Sequence, residues 1–422
     1  MSGNSEDLDK CFKLMADIDL SGLTGTSFNI IGSDYDNTFA GVFDGNGHTI
    51  SNFNYTSIDK SHIGLFGFVK AGQIKNLGLI DPNIYAGTGN YVGSLVGRLS
   101  GGAITGCYVK GGCVLGHYNV GGLVGKIYST ATITNCYAIS SVKGWSHVGG
   151  LVGYNSGNSI TNCCSNGSVL GTAHVGGLVG SNGGTITNCI TNCYSTGSAS
   201  GEGHVGGLVG ANIGRISNCY STGDISGDRV VGGLVGGNGG TITNCYSTGS
   251  VSGDERFGGL VGSSEGTVSA SFWDFQTSSP STSAGGVGLT TAEMQTASTF
   301  IAWGCENGWT IEEGVDYPRL VWENAPGESI TTPSYGGGSG EPNDPYLIYT
   351  AEQLNTIGLV PCHLDKHFLL CADIDLDTLP PPPPPHHPPS LFKASKPNPA
   401  HGAYPVSATA DLSWTPGLGA KS

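Results

Sequence analysis

Residues 232–253 read GGLVGGNGGTITNCYSTGSVSG, and this unit recurs along the chain. The block GGLVG, or a near variant, begins at Gly93, Gly121, Gly149, Gly176, Gly206, Gly232 and Gly258, in steps of 28, 28, 27, 30, 26 and 26 residues. A divergent copy, IGLFGFV, lies upstream around Gly64. A period of this size is the signature of a solenoid in which one repeat forms one coil. Three short apolar pieces recur per unit, V-G-G-L-V, I-T-N-C-Y and V-S, with Gly, Asn and Ser between them. They are too short for helices, and Gly at this density would cost a helix about 1 kcal/mol per residue. Three strands and three turns per unit predict an all-β fold, a parallel β-helix of about eight coils with capping segments. Each strand then pairs with its counterpart one coil on, ~4.8 Å away, so that each repeat position becomes a column.

The columns carry the candidate residues. Cys107, Cys136, Cys163, Cys193, Cys219 and Cys245 share one position, which Leu77 takes in the divergent coil. A slot that accepts Leu or Cys reads as core, with a disulfide ladder or a metal site as the functional alternatives. Asn76, Asn135, Asn162, Asn192, Asn218 and Asn244 precede it and suit a structural turn, where stacked amides can bond to one another. Tyr137, Tyr194, Tyr220 and Tyr246 follow it and form the candidate ligand-contact row, with purely structural ring stacking as the alternative. A further column runs His62, Tyr91, Asn119, His147, His174, His204, Val230 and Arg256. His147, His174 and His204 are a candidate metal set, but the column tolerates Tyr, Val and Arg and no carboxylate column accompanies it, so exposed, partly stacked imidazoles are the simpler reading. Thr132 and Thr134, Thr185 and Thr187, and Thr241 and Thr243, with Ser159 and Thr161 between, form a T-x-T array that Arg215 and Ser217 interrupt. Such arrays can bind ice, and they are also simply good strand residues.

Charge and composition narrow the function classes. Of 422 residues 72 are Gly and 12% are charged, and the net charge is −15. Residues 93–262 hold seven basic and five acidic side chains, leaving 10 and 27 to the flanks. Neither part has the basic stripe of a nucleic-acid binder. No apolar run approaches the ~20 residues of a membrane span, and no secretory signal precedes Cys11. Thirteen Cys is an odd number, and neither a C-x-x-C zinc spacing nor a haem motif is present. No cofactor is implied.

The flanks have their own logic. Residues 1–62 read as an N-terminal β segment or incomplete cap, with FDGNGHTI as a tight turn between two strands. The solenoid follows at 63–270 and a C-terminal capping segment at 271–323, with a capping box at Thr290 and Glu293 and aromatics that suit an open core end. A Gly-, Ser- and Pro-rich linker is expected at 324–341. At 342–379, KHFLLCADIDL repeats the KCFKLMADIDL of residues 10–20, behind a helix capped by Thr350 and Gln353, as a partial second cap. The tail, 380–422, combines a polyproline run with a short stretch like the first strands of a sandwich.

The GGLVG…ITNCYSTG…VSG unit resembles the GLUG motif of large bacterial surface and secreted proteins, matched seven times over about 40% of the chain. The flanks resemble the sections that bracket such arrays in planctomycete-like multidomain proteins, and the tail resembles an immunoglobulin- or fibronectin-like start. The resemblance implies an extracellular or cell-surface, adhesin-like protein, and the repeated cap segment is also what a piece of a longer tandem array would show. GLUG repeats also occur in IgA-protease-type proteins, but no H-E-x-x-H appears here, and the family supplies no catalytic residue.

Parallel β-helices also host polysaccharide-active enzymes, whose chemistry needs two carboxylates about 5–9.5 Å apart. Asp228 and Asp254 are the nearest approach to such a pair, in a variable turn beside Arg229 and Arg256 where charges are usually solvated. The expectation is therefore a non-catalytic repeat protein that binds glycans or surfaces. A structural spacer, or a stalk assembled head to tail through residues 345–358, is the main alternative. A polysaccharide-active enzyme comes next, and ice binding last.

Overall fold

The computed structural model describes residues 7–157, 159–183, 189–306 and 308–379. Thr185 and Thr187 and the whole tail, 380–422, lie outside these residues. The chain divides into two compact units, with the boundary between Met294 and Gln295.

The first unit is a parallel β-solenoid of about nine turns. Among the described residues its strands form parallel sheets of 25, 8 and 7 strands. In one coil they are Val92–Gly93, Val96–Ser100, Ala103–Thr105 and Tyr108–Leu115. The next coil repeats them as Tyr118–Gly121, Val124–Tyr128, Thr132–Thr134 and Tyr137–Lys143. Register is kept by apolar columns. Val96, Val124, Val152, Val179, Val209, Val235 and Val261 follow one another. So do Ile104, Ile133, Ile160, Ile190, Ile216 and Ile242. All are fully buried, as are Leu95, Leu123, Leu151, Leu178, Leu208, Leu234 and Leu260. Each such side chain contributes about 1.5–3 kcal/mol of transfer free energy.

The V-G-G-L-V piece, read as one strand, is broken into two strands on different sheets. The double glycine is the cause. A Cβ on Gly149 would lie 2.0 Å from the Val152 carbonyl oxygen, and one on Gly150 would lie 2.1 Å from that of Gly177. Backbones of successive coils meet there, and no other residue fits.

Coiling also extends beyond the recognisable repeats. Cys11–Lys13 pairs with Val42–Asp44 and that strand with Gln73–Lys75, all parallel. Phe39, Phe43, Phe53 and Phe66 fill this end of the core, so its sequence shares no GGLVG signal with the rest. At the other end Phe272–Asp274 pairs with Val287–Leu289 before a short helix, Thr291–Met294. Its capping box is formed: the Thr290 N–H donates to Glu293 Oε2 at 2.8 Å, and the Glu293 N–H to Thr290 Oγ1 at 3.2 Å.

One core column is polar. Asn155, Asn182, Asn212 and Asn238 are buried, and each Nδ2 donates to the next Oδ1 at 2.8 Å, ending on Ser264 Oγ at 3.1 Å. The Gly157 N–H donates to Asn155 Oδ1 at 3.0 Å, which fixes the orientation of the first amide and so of the rest. Upstream the same position is Ile127 and Leu99, so the ladder replaces an apolar column midway along the solenoid.

The second unit contains an antiparallel sheet of Trp309–Ile311, Arg319–Leu320 and Glu328–Ser329. Phe300, Trp303 and Trp309 cluster with ring centroids 4.5 and 4.7 Å apart. A disulfide joins Cys305 to Cys362. The helix Ala351–Thr356 is capped by Thr350, and Tyr346–Ile348 pairs in parallel with Phe368–Leu370. The expected linker at 324–341 is ordered instead. Glu328–Ser329 is a strand, Ile330 is 3% exposed, and the Gly336 N–H donates to the Leu347 carbonyl at 2.8 Å. A single apolar anchor, Ile330, outweighs the surrounding Gly and Ser composition.

Candidate functional site: an aromatic and cationic face of the solenoid

The coil corners are left-handed turns. Asn76, Asn135, Asn162, Asn192, Asn218 and Asn244 have φ between 52° and 55°, a region that Asn tolerates better than other side chains. Asn162 Nδ2 donates to Asn135 Oδ1 at 3.2 Å, and Asn192 Nδ2 to Asn162 Oδ1 at 3.3 Å. Beside them Cys107, Cys136, Cys163, Cys193, Cys219 and Cys245 are fully buried thiols. From Cys136 onward each Sγ donates to the carbonyl two residues back, at 3.1–3.2 Å. Burial pushes the thiols of Cys163, Cys193 and Cys219 well above the ordinary range, so they are poor nucleophiles and poor metal ligands.

His147, His174 and His204 stack face to face, with centroids 4.9 and 5.3 Å apart and rings within 16° of parallel. They are half-buried rather than exposed, and burial lowers all three pKa values. For His147, burial together with the charges of His174 and Lys126 brings the value to about 4. Lone pairs lying in parallel planes a coil apart do not converge on one ion, so the stack is a poor tetrahedral or octahedral site.

The tyrosine row is also a stack. Tyr194, Tyr220 and Tyr246 follow one another at 4.9 Å, within 8° of parallel, and Tyr108 lies on Tyr137 at 5.0 Å. The ring faces that a sugar would cover are thus used by neighbouring rings. Tyr220 and Tyr246 are 0% exposed, which removes them as contact residues and leaves Tyr137 and Tyr194 half-buried. Asp228 and Asp254 lie side by side, the Asp254 N–H donating to the Asp228 carbonyl, and both are exposed. Neither forms an ion pair among the described residues. In the T-x-T column the register partners of Ser159 and Thr161 are Cys189 and Thr191, in a 30-residue repeat that carries a duplicated I-T-N-C.

The structure assembles a different group. The residue after L-V-G in each repeat points outward from the eight-stranded sheet, in the register Phe68, Arg98, Lys126, Tyr154, Ser181, Ala211, Gly237 and Ser263. The first four are aromatic or cationic and the last four are small. Lys126 Nζ lies 4.2 Å from the centroid of the Tyr128 ring and 4.4 Å from that of Tyr154. Arg98 Cζ lies 4.1 Å from Tyr128 and 4.8 Å from Phe68, and its guanidinium donates to the Tyr35 hydroxyl. His147 meets Tyr154 edge to face at 5.1 Å. Beside Lys126 is a concavity of about 390 Å³ lined by Asn90, Tyr91, Tyr118, Asn119, Lys126, His147 and Tyr154. Burial, with Arg98 nearby, lowers the pKa of Lys126. In the sequence the position after L-V-G varies from Gly to Tyr and carries no repeat signal. Listing it coil by coil would have exposed the aromatic and cationic run.

The GLUG motif matches residues 116–143, 146–170, 201–226 and 227–252. Halomucin of Haloquadratum walsbyi is 35% identical over 150 residues, which are 34% of this chain and 2% of halomucin, so the chain spans a small fraction of that relative's length. A solved structure of a candidate immunoglobulin A1 protease from Bacteroides ovatus aligns with 23% identity and a TM-score of 0.45, covering 74% of this chain and 86% of that one. A likeness that weak carries no argument about activity. The four matched stretches are successive or near-successive coils of the solenoid: this chain is a GLUG-motif repeat protein.

Proposed function

We propose that the chain is a non-catalytic, surface-displayed repeat protein that binds glycans through the aromatic face of its solenoid. The observation that carries this reading is the concavity that Tyr91, Tyr118, Lys126 and Tyr154 line, at the end of the outward column that Arg98 also shares. Aromatic rings suit the C–H faces of pyranoses, and the few polar groups beside them set orientation. The Cys305–Cys362 disulfide supports an extracellular or cell-surface setting, where such bonds persist. Similarity to halomucin, a mucin by name, supports the same setting. The exposed, unshielded Asp228 and Asp254 favour binding over hydrolysis. A glycan array probed with the whole chain tests the reading. Binding to a defined set of saccharides, without release of reducing ends, is the expected result, and an array with no bound glycan would overturn it.

Head-to-tail self-association is the second reading. Leu369, Leu370 and Leu376, in the segment that repeats residues 10–20, are 52%, 59% and 57% exposed. Apolar side chains left open to solvent along the strand Phe368–Leu370 and in the turn at Leu376 favour the addition of another coil.

A further inference from the structure

The sequence between Asp81 and Glu202 contains no acidic residue, although the whole chain has 32 Asp and Glu against 17 Lys and Arg. Four cations, Arg98, Lys110, Lys126 and Lys143, stand in that stretch. Arg98 and Lys126 are register partners on adjacent coils. Like charges directly opposite one another destabilise a sheet, and a carboxylate between them is the usual remedy. Here no ion pair among the described residues involves either group. Ring faces replace water around both, and nothing replaces the missing counter-charge.

The hollow beside Lys126 supplies the other elements of a site. Its volume of about 390 Å³ falls in the ~300–1,000 Å³ range of small-ligand sites. Tyr118 stands at its rim, 39% exposed. Asn119 sits in a left-handed turn at φ 58°, and its amide makes no hydrogen bond to another described residue. Asn90 Oδ1 accepts from the Tyr118 N–H at 3.1 Å, which leaves the Asn90 Nδ2 as a donor.

We propose that this hollow binds an anionic saccharide unit, with its carboxylate or sulfate on Lys126, its C–H face on a tyrosine, and its hydroxyls on Asn119 and Asn90. The proposal rests on the glycan-binding reading above and adds to it the charge of the ligand and the residues that hold it. Lys126 supplies the charge-assisted bond, and the tyrosines supply most of the apolar contact.

Calorimetry on the full chain tests it with three probes: an oligogalacturonate, a sulfated galactan oligosaccharide without uronate, and a neutral cello-oligosaccharide. At least one anionic probe is expected to bind tenfold or more tightly than the neutral one, and which of the two does so identifies the anion. Lys126→Gln weakens that binding at least tenfold, Lys126→Arg retains most of it, and Lys143→Gln, which removes an exposed charge outside the hollow, changes it less than twofold. Tyr118→Ala, at an exposed rim position that leaves the core intact, also weakens it, and thermal unfolding of each variant verifies the fold. Equal affinity for neutral and anionic probes, or equal losses in Lys126→Gln and Lys143→Gln, overturns the proposal while glycan binding itself stands. Binding to none of the probes overturns the proposal, and together with a blank array it removes the glycan reading as well.

Discussion

At the scale of single residues, the buried Asn ladder shows how one position can be apolar in one coil and polar in the next. A lone Asn in a dry core would leave its amide unsatisfied, at about 1–3 kcal/mol. Four in register satisfy one another, and the column changes from Leu99 and Ile127 to Asn155, Asn182, Asn212 and Asn238 without an orphan at the junction, because the Gly157 N–H takes the first oxygen. Asn182→Ala removes the donor to Asn212 and the acceptor for Asn155 together. We expect a loss of about 2–3 kcal/mol, read from denaturant unfolding. A loss near the ~0.5 kcal/mol of an ordinary surface change would show that the ladder is dispensable.

At the scale of columns, the histidine stack ties stability to pH. The His147 imidazole titrates at about 4 in the fold and near 6.5 when unfolded, so between those values the unfolded chain binds the extra proton. The stabilising contribution is complete above about pH 6.5 and is lost as pH falls towards 4. His62, His174 and His204 are lowered by burial and act in the same direction. Lys126, His174 and Tyr154 face His147 and leave no carboxylate beside it to reverse the sign. The unfolding temperature should therefore fall as pH drops through this window. His147→Asn, the residue that Asn119 places in the same column, should flatten the slope, and an unchanged slope in that variant would refute the assignment. Much of this level was legible beforehand. The columns, their left-handed Asn corners and the parallel pairing follow from a period and from residue types with one favoured use. What sequence did not yield was the burial of the tyrosine row. The Tyr row reads the same whether its faces meet sugars or one another, and only the 4.9 Å stacking of Tyr194, Tyr220 and Tyr246 decides between them. The Phe-rich first coils and the ordered stretch around Ile330 were missed for the converse reason, since tertiary packing there overrides composition.

For the molecule as a whole, residues 93–262 carry a small positive balance while the flanks are strongly acidic. Self-association through the segment that repeats residues 10–20 is tested by deleting residues 341–376 in a Cys305→Ser background, which avoids leaving an unpaired thiol. Light scattering should then show larger species for the intact chain alone, and identical monomer masses for both would end that idea. The amide ladder bears on how such an array can grow. Every Nδ2 from Asn155 to Asn238 donates in the same direction along the axis, so the ladder has a start, at the Gly157 N–H, and a finish, at Ser264 Oγ. A duplicated coil drawn from inside that span brings its own Asn and slots in silently. A coil copied from upstream, with Ile127 or Leu99 at that position, would cut the chain of amides and leave a donor facing hydrocarbon. Repeats that look interchangeable in sequence therefore obey a grammar, in which exchange is neutral within each half of the array and costs the broken amide contacts across the seam.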